Sequence, residues 1–212
     1  MTNCEYSILE AFMHDKMKDS AHDKHHIYRV LNAAKNIAAH EPDADMDVLI
    51  AACLLHDIGR DTQFANPGTC HAQIGGEMAY DFLLTQDWPQ QRAAHVRDCI
   101  SSHRFRGDNT PQSIEAKILF DADKLDAAGA IGIARTLIYA GQTDSPLYIL
   151  NENEIISTDR ADGNSFNTEY HYKLKNVYGT FYTARGKEIA LKRQKTAEDF
   201  YNALIAEVTG KN

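Results

Sequence analysis

The chain has 212 residues, with 22 Lys and Arg against 30 Asp and Glu, a formal net charge of −8 and ten histidines. This acidity argues against a nucleic-acid polymer or a membrane surface as partner, because electrostatic binding to either needs a basic surface. A hydrophobic share of 43% and a charged share of 25% are typical of a globular protein rather than a disordered chain.

Membrane and secretion signals are missing from the sequence pattern. The longest apolar run, residues 48–55, is far shorter than the roughly 20 residues that span a bilayer. Residues 1–10 have neither the basic start nor the apolar stretch of a signal peptide. The four cysteines form no Cys-x-x-Cys pair, and Cys53 lies within the apolar run, as expected of a free thiol. These features predict a cytoplasmic protein.

Apolar residues recur at helical spacing along most of the chain. The first long helix is predicted to bury the apolar side chains of residues 27–38 and to end before Pro42. The next helix is predicted from residue 46 to about residue 58, with Asp45 or Asp47 as its N-cap.

Further helices are predicted along the rest of the chain. Thr69 is expected to cap one of them, and Trp88 with the following proline to open another. Helical sequence continues over about 112–139, and the last helix is predicted over about 183–208. Residues 141–168 are polar and aperiodic, and we expect them to form a lid over a functional site. Without repeats or a linker, residues 1–212 are expected to form a single all-α domain.

Four polar residues lie on the apolar stripes of their helices, where an unpartnered carboxylate is costly to bury. They are His26, His56, Asp57 and Asp123. Each has an ordinary alternative: a His-Asp pair is common, His26 could be a core histidine, and Asp123 could pair with a nearby lysine. Taken together, two imidazoles and two carboxylates that converge from helices of a bundle indicate a metal site. Mixed nitrogen and oxygen ligands favour Mn, Fe, Co, Ni or Zn over Mg.

Two further histidines, His71 and His103, lie on apolar stripes at predicted helix ends. They could bind a second metal ion or contact a substrate phosphate, and helix capping or core hydrogen bonding is the alternative. Arg29, one turn after His26, and Lys124, next to Asp123, are candidates for phosphate binding. Salt bridges are the alternative for both, and Arg60 is a weaker candidate.

The order His26, His56-Asp57, Asp123 resembles the HD-domain superfamily of metal-dependent phosphohydrolases. The matching words are His-Ile-Tyr-Arg-Val at 26–30, Leu-Leu-His-Asp-Ile-Gly-Arg at 54–60 and Asp-Ala-Asp-Lys-Leu-Asp-Ala at 121–127. The resemblance implies a helical bundle of the HD type, with a metal-binding core at about residues 23–135. It also implies that His26, His56, Asp57 and Asp123 are metal ligands.

The words at 129–135 and 186–190 are similar to those of the small stand-alone bacterial YpgQ/YedJ-like group. This similarity implies a nucleotide pyrophosphohydrolase, which cleaves a nucleoside triphosphate to a monophosphate and pyrophosphate. The broader binuclear pattern of the family adds two histidines, whose places His71 and His103 occupy, so one or two divalent ions are expected. Some relatives place a Glu after the His-Asp pair to activate water, and Asp61 is the candidate here.

Other functions remain open on the same residues. A nucleotide phosphatase or a cyclic-nucleotide phosphodiesterase would use the same metal site on a different bond. A non-catalytic metal- or nucleotide-binding module, or an oxygenase with two irons, would use a similar bundle. In each catalytic alternative that acts on phosphate, the expected partner is a small phosphorylated substrate, most simply a nucleotide. The sequence leaves a homodimer open.

Overall fold

The computed structural model of the chain describes residues 1–17, 24–104, 109–153 and 155–211. Residue 23, where the expected metal-binding core begins, and residue 154 in the expected lid lie outside the described residues. Within the described residues, regular structure is helical apart from one antiparallel bridge between Leu150 and Ile156. The prediction of an all-α fold is therefore confirmed. None of the described helices combines the length and the apolarity that a membrane span requires.

The chain divides into two compact units, Met1–Asp123 and Lys124–Asn212. Helices of the first unit are α1 (Asn3–Lys16), α2 (Lys24–Ala38), α3 (Met46–Leu55), α4 (Arg60–Ala65), α5 (His71–Thr85), α6 (Gln90–Ser102) and most of α7 (Ile114–Leu125). The second unit contains α8 (Gly129–Gln142), α9 (Phe166–Tyr172) and α10 (Ala184–Thr209), with 3-10 turns at Arg160–Asp162 and Leu174–Gly179.

Helix α3 is the central element of the first unit. It packs against α1, α2 and α6, and its residues from Val48 onward are almost all fully buried. Asp45 caps its start, because the Asp45 carboxylate accepts hydrogen bonds from the backbone N–H groups of Asp47 and Val48, at 3.0 and 3.2 Å. Of the two predicted caps, Asp45 is therefore the correct one. Asp47 instead pairs with the amino group of Met1.

Helix α3 ends earlier than predicted, at Leu55, and residues 56–59 form a turn that leads into α4. Gly59 brings this turn against the start of α5. A Cβ atom at Gly59 would lie 2.3 Å from the backbone oxygen of His71 and 2.7 Å from the backbone nitrogen of Gly75. Only a residue without a side chain permits this approach, which holds the His56-Asp57 turn close to α5.

Two other predicted boundaries are wrong. Thr69 does not cap α5: its hydroxyl donates to the backbone oxygen of Asn66 at 2.8 Å, and Cys70 occupies the N-cap position. The helical stretch predicted over 112–139 is two helices, α7 and α8. They are separated at Gly129, whose φ of +64° lies in the left-handed region that favours glycine.

Helix α1 is not among the predicted elements, because only Leu9 and Met13 of its residues are buried, too few for an apolar stripe. Its start carries a local signal nonetheless. Thr2 accepts a hydrogen bond from the backbone N–H of Glu5 while the Glu5 carboxylate accepts one from the backbone N–H of Thr2. This reciprocal capping box could have identified the helix.

The second unit has its own apolar cluster, formed by Ile133, Phe166, Tyr170, Leu174 and Ala197. Residues 141–168 carry the β-bridge, one 3-10 turn and the start of α9. Hydrogen bonds within the segment order part of it, because the Asn167 amide donates to the backbone oxygen of Ser157 at 2.5 Å. The lid function of this segment stays a prediction.

Replacing Gly59 with alanine should destabilise the protein by about 1–3 kcal/mol, the usual cost of overpacking a close contact. Gly68→Ala is the matched control, because no atom lies within 4 Å of a Cβ built at Gly68. Urea unfolding followed by circular dichroism measures both variants. Equal unfolding midpoints for Gly59→Ala and the wild type would contradict the packing described for the turn.

Candidate metal centre

The predicted metal ligands of the first unit lie together, and each stands at or near a helix end. His26 is near the start of α2, His71 is the first residue of α5, and Asp123 is in the last turn of α7. His56 and His103 are the C-cap residues of α3 and α6. Asp123 keeps 24% of its side chain accessible, whereas the remaining ligand candidates are buried, namely His26, His56, Asp57, His71 and His103.

Asp57 lies at the middle of this cluster, and its two carboxylate oxygens face different histidines. Oδ2 is 3.5 Å from Nε2 of His26 and 3.6 Å from Nε2 of His56. Oδ1 is 3.5 Å from Nε2 of His71 and 3.7 Å from Nε2 of His103. The carboxylate therefore separates two pairs of imidazoles.

Ligand atoms come close enough together to share an ion in two overlapping groups. One group is His26, His56 and Asp123, and the other is His56, Asp57 and His103, with the ligand atoms of each group within 4.8 Å of one another. Nε2 of His26 is 3.2 Å from Nε2 of His56 and 3.3 Å from Oδ1 of Asp123. His71 belongs to neither group, although its Nε2 lies 3.5 Å from Oδ1 of Asp57.

The helix ends orient two of these histidines. Nδ1 of His56 donates to the backbone oxygen of Cys53 at 2.8 Å, and Nδ1 of His103 donates to that of Ile100 at 2.6 Å. A carbonyl oxygen only accepts hydrogen bonds, so in the neutral form of each ring Nδ1 carries the proton and Nε2 the lone pair. The Nε2 lone pair then points into the cluster, which is the arrangement of a metal-binding histidine.

Burial and charge set the protonation states that a metal site requires. Burial lowers the pKa of His56 to about 4, and burial together with the Arg60 charge lowers that of His71 to about 3. Burial alone would raise the pKa of Asp57, but His56 and Arg60 outweigh it and hold this pKa well below its usual range. The pKa of Asp123 is also lowered, because its hydrogen bond with His26 outweighs burial. At neutral pH, His56 and His71 are uncharged and both carboxylates are ionised.

Two buried ligand atoms support the presence of a cation. Oδ1 of Asp57 and Nε2 of His71 are buried and have no hydrogen-bond partner among the described residues. A buried polar atom without a partner costs about 1–3 kcal/mol, and a divalent ion that both atoms could bind would remove this cost. The nitrogen and oxygen donors therefore fit a divalent transition metal or zinc.

The other predicted site residues are close to the ligand candidates in sequence. Arg29 is half-buried one turn after His26 on α2, and Lys124 is half-buried next to Asp123. Asp61 is half-buried in the first turn of α4 and belongs to neither group of ligand atoms found in the described residues.

Arg60, which is the weaker candidate for phosphate binding, directly contacts the ligand candidate Asp57. Its Nε lies 2.5 Å from Oδ2 of Asp57, and 29% of its side chain is accessible. The spacing of three residues between Asp57 and Arg60 could have pointed to this pair.

The chain belongs to the HD domain family, whose model matches residues 23–128, half of the chain. The resemblance seen in the sequence is therefore confirmed. The chain has the fold of the HD superfamily hydrolases.

Among individual proteins, the chain is 29% identical over 197 residues to the uncharacterized protein YpgQ of Bacillus subtilis strain 168, covering 91% of this chain and 87% of YpgQ. The crystal structure of B. subtilis YpgQ in complex with ADP matches with a TM-score of 0.74 and 25% identity, over 98% of this chain and 100% of YpgQ. A predicted HD superfamily hydrolase from an uncultured Thermotogales bacterium matches with a TM-score of 0.66 and 30% identity, over 97% and 92% of the two chains.

Replacing Asp57 with alanine should weaken metal binding by more than about 100-fold, because even residues that only orient ligands are worth 10- to 100-fold. Metal content after loading with Mn²⁺ and gel filtration measures the loss. Asp81→Ala, an exposed carboxylate on α5, is the control and should bind as the wild type does. Full metal content in Asp57→Ala would remove Asp57 from the site.

Proposed function

We propose that the protein is a metal-dependent phosphohydrolase that cleaves a nucleoside triphosphate to a monophosphate and pyrophosphate. The observation that supports it most is Asp57, a buried carboxylate whose oxygens face two separate pairs of imidazoles. His26, His56, Asp57 and Asp123 would hold one divalent ion. Asp57, His71 and His103 would hold a second.

The ion is expected to be Mn, Fe, Co, Ni or Zn rather than Mg, because imidazole nitrogen contributes most of the donors. When bound, a divalent ion acts as a Lewis acid on phosphoryl oxygen and lowers the pKa of water. The protein supplies imidazoles, of which His56 and His71 are neutral, and ionised carboxylates in fixed positions. It also limits access of bulk water, because the ligand side chains other than Asp123 are buried.

Cationic side chains supply the remaining requirement, which is stabilisation of negative charge on the phosphate groups. The Arg60 guanidinium uses Nε toward Asp57 and has further N–H donors on a partly accessible side chain. Arg29 and Lys124 are assigned the same role, because each adjoins a ligand in its helix. Asp61 is assigned the acceptance of a proton from the attacking water, as the first carboxylate after the His-Asp pair.

A small nucleotide fits this site better than a polymer. YpgQ, a relative with the same fold, was crystallised with ADP, so a nucleotide with a phosphate chain is a reasonable ligand for this chain too. The formal charge of −8 disfavours the extended basic surface that nucleic-acid binding needs. A bound divalent ion and Arg60 would give the site itself a local positive potential.

The direct test incubates the metal-loaded protein with nucleoside triphosphates, diphosphates, monophosphates and cyclic nucleotides, and identifies every product. We expect a monophosphate and pyrophosphate from a triphosphate. Release of orthophosphate without pyrophosphate would instead indicate a phosphatase. Cleavage of cyclic nucleotides alone would indicate a phosphodiesterase. Absence of turnover with each of the expected metals would overturn the proposal.

Arg60→Met should lower kcat/KM for the triphosphate by about 100- to 1,000-fold, the usual effect of removing one donor to developing negative charge. Metal content measured in parallel separates this effect from a loss of ions. Arg97→Met is the control, because Arg97 contacts Asp98 and Tyr80, neither of which is a candidate site residue. Wild-type kcat/KM in Arg60→Met would exclude a role for Arg60 in phosphate binding.

A further inference from the structure

His71 is held differently from His56 and His103. Those two histidines cap the C-terminal ends of their helices, where backbone oxygens of the last turn are available as acceptors. His71 is the first residue of α5, and a helix start presents N–H groups instead. The hydrogen-bond partner of its Nδ1 is therefore a side chain, the Gln63 amide. Nδ1 of His71 lies 2.8 Å from Oε1 of Gln63.

The orientation of the Gln63 amide follows from its other contact. Nε2 of Gln63 donates to the backbone oxygen of Thr69 at 2.7 Å. Thr69 itself is held in the turn before α5, where its N–H and hydroxyl both donate to the backbone oxygen of Asn66. Because the Thr69 oxygen can only accept, the amide nitrogen must face Thr69 and the amide oxygen must face His71.

This orientation determines which nitrogen of His71 carries the proton. An amide oxygen 2.8 Å from Nδ1 requires a proton on Nδ1, so the lone pair of the neutral ring is on Nε2. Nε2 lies 3.5 Å from Oδ1 of Asp57 and has no hydrogen-bond partner among the described residues. A chain of contacts thus connects a loop carbonyl, through Gln63 and His71, to the carboxylate at the middle of the metal centre.

Arg104 is the other neighbour of this pair. Its Nη1 lies 3.1 Å from Nδ1 of His71 and 3.4 Å from Oε1 of Gln63. A guanidinium only donates hydrogen bonds, so it would compete with Gln63 for His71 only if Nδ1 were unprotonated. With Nδ1 protonated, Nη1 donates to Oε1, and the same oxygen accepts from both His71 and Arg104.

We propose that Gln63 is a positioning residue that holds His71 as the Nδ1-protonated tautomer and directs its Nε2 to a second metal ion beside Asp57. Gln63 lies on α4, the short helix whose first residue, Arg60, pairs with Asp57. One six-residue helix therefore contributes both the charge partner of Asp57 and the orienting group of His71. The proposal rests on the metal site of the proposed function but not on its substrate.

The test measures the His71 tautomer directly, by ¹⁵N NMR of the full-length protein with and without Zn²⁺, with His71→Asn used to assign the signal. Zinc affinity is measured in parallel by calorimetry. We expect protonated Nδ1 in the wild type. In Gln63→Met, which has similar size but no amide, we expect loss of the single Nδ1 tautomer and 10- to 100-fold weaker binding of the second zinc equivalent. Binding of the first equivalent should be unchanged.

Two further variants distinguish positioning from a general effect on stability. Gln63→Glu keeps an acceptor oxygen for Nδ1 but loses the donor to Thr69, so it should keep the Nδ1-protonated tautomer and bind the second zinc equivalent more tightly than Gln63→Met does. Gln73→Met makes the same change at an exposed position of α5 and should behave as the wild type.

Three results would overturn the proposal: Nε2-protonated His71 in the wild type, a wild type that binds a single zinc, or a Gln63→Met variant that keeps the wild-type affinity for the second zinc. Should Gln63→Met fail to fold, the His71 tautomer of the wild type and the zinc affinity of Gln63→Glu still test the proposal. The proposed nucleotide hydrolysis can fail independently, because none of these measurements uses a nucleotide.

Discussion

The candidate metal centre depends on one constraint, the ionised carboxylate of Asp57 in the interior of the first unit, where only 1% of the residue is accessible. An isolated buried carboxylate is strongly unfavourable, so positive charge or metal must lie beside it. Arg60 supplies one charge at 2.5 Å, and the surrounding imidazoles supply lone pairs for a cation. The close approach of Gly59 to α5 contributes to the same arrangement, since it brings the start of α5, with His71, next to the turn that carries Asp57.

Much of this site could be predicted from the sequence, because a polar residue on an apolar helical stripe is visible without a structure. His26, His56 and Asp123 stand out in this way, and the structure brings them together. Arg60 and Gln63 are harder to find. They lie on a helix of six residues, too short to show a period. The partners of Gln63 are set by the path of the loop before α5, whereas Arg60 pairs with Asp57, three residues before it.

In the fold, too, helices with an apolar stripe could be predicted from the sequence, whereas several helix ends could not. Helix α2 has an apolar stripe that predicts it, whereas α1 buries only Leu9 and Met13 and shows no such stripe. The wrong boundaries lie where local backbone geometry decides the end of a helix. Gly129 breaks α7 from α8 through its left-handed φ, and the turn at residues 56–59 ends α3 one turn early. Propensity and periodicity carry little information about such local geometry at helix ends.

The ligand candidates are spread from residue 26 to residue 123, across almost the whole first unit, so the complete site exists only when that unit is folded. An ion that binds the folded state alone stabilises it by mass action, by about 2.7 kcal/mol when its free concentration is 100 times its Kd. That amount is a large part of the total stability of an ordinary domain. The abundance of the folded protein in a cell would then vary with the supply of the metal, independently of any nucleotide.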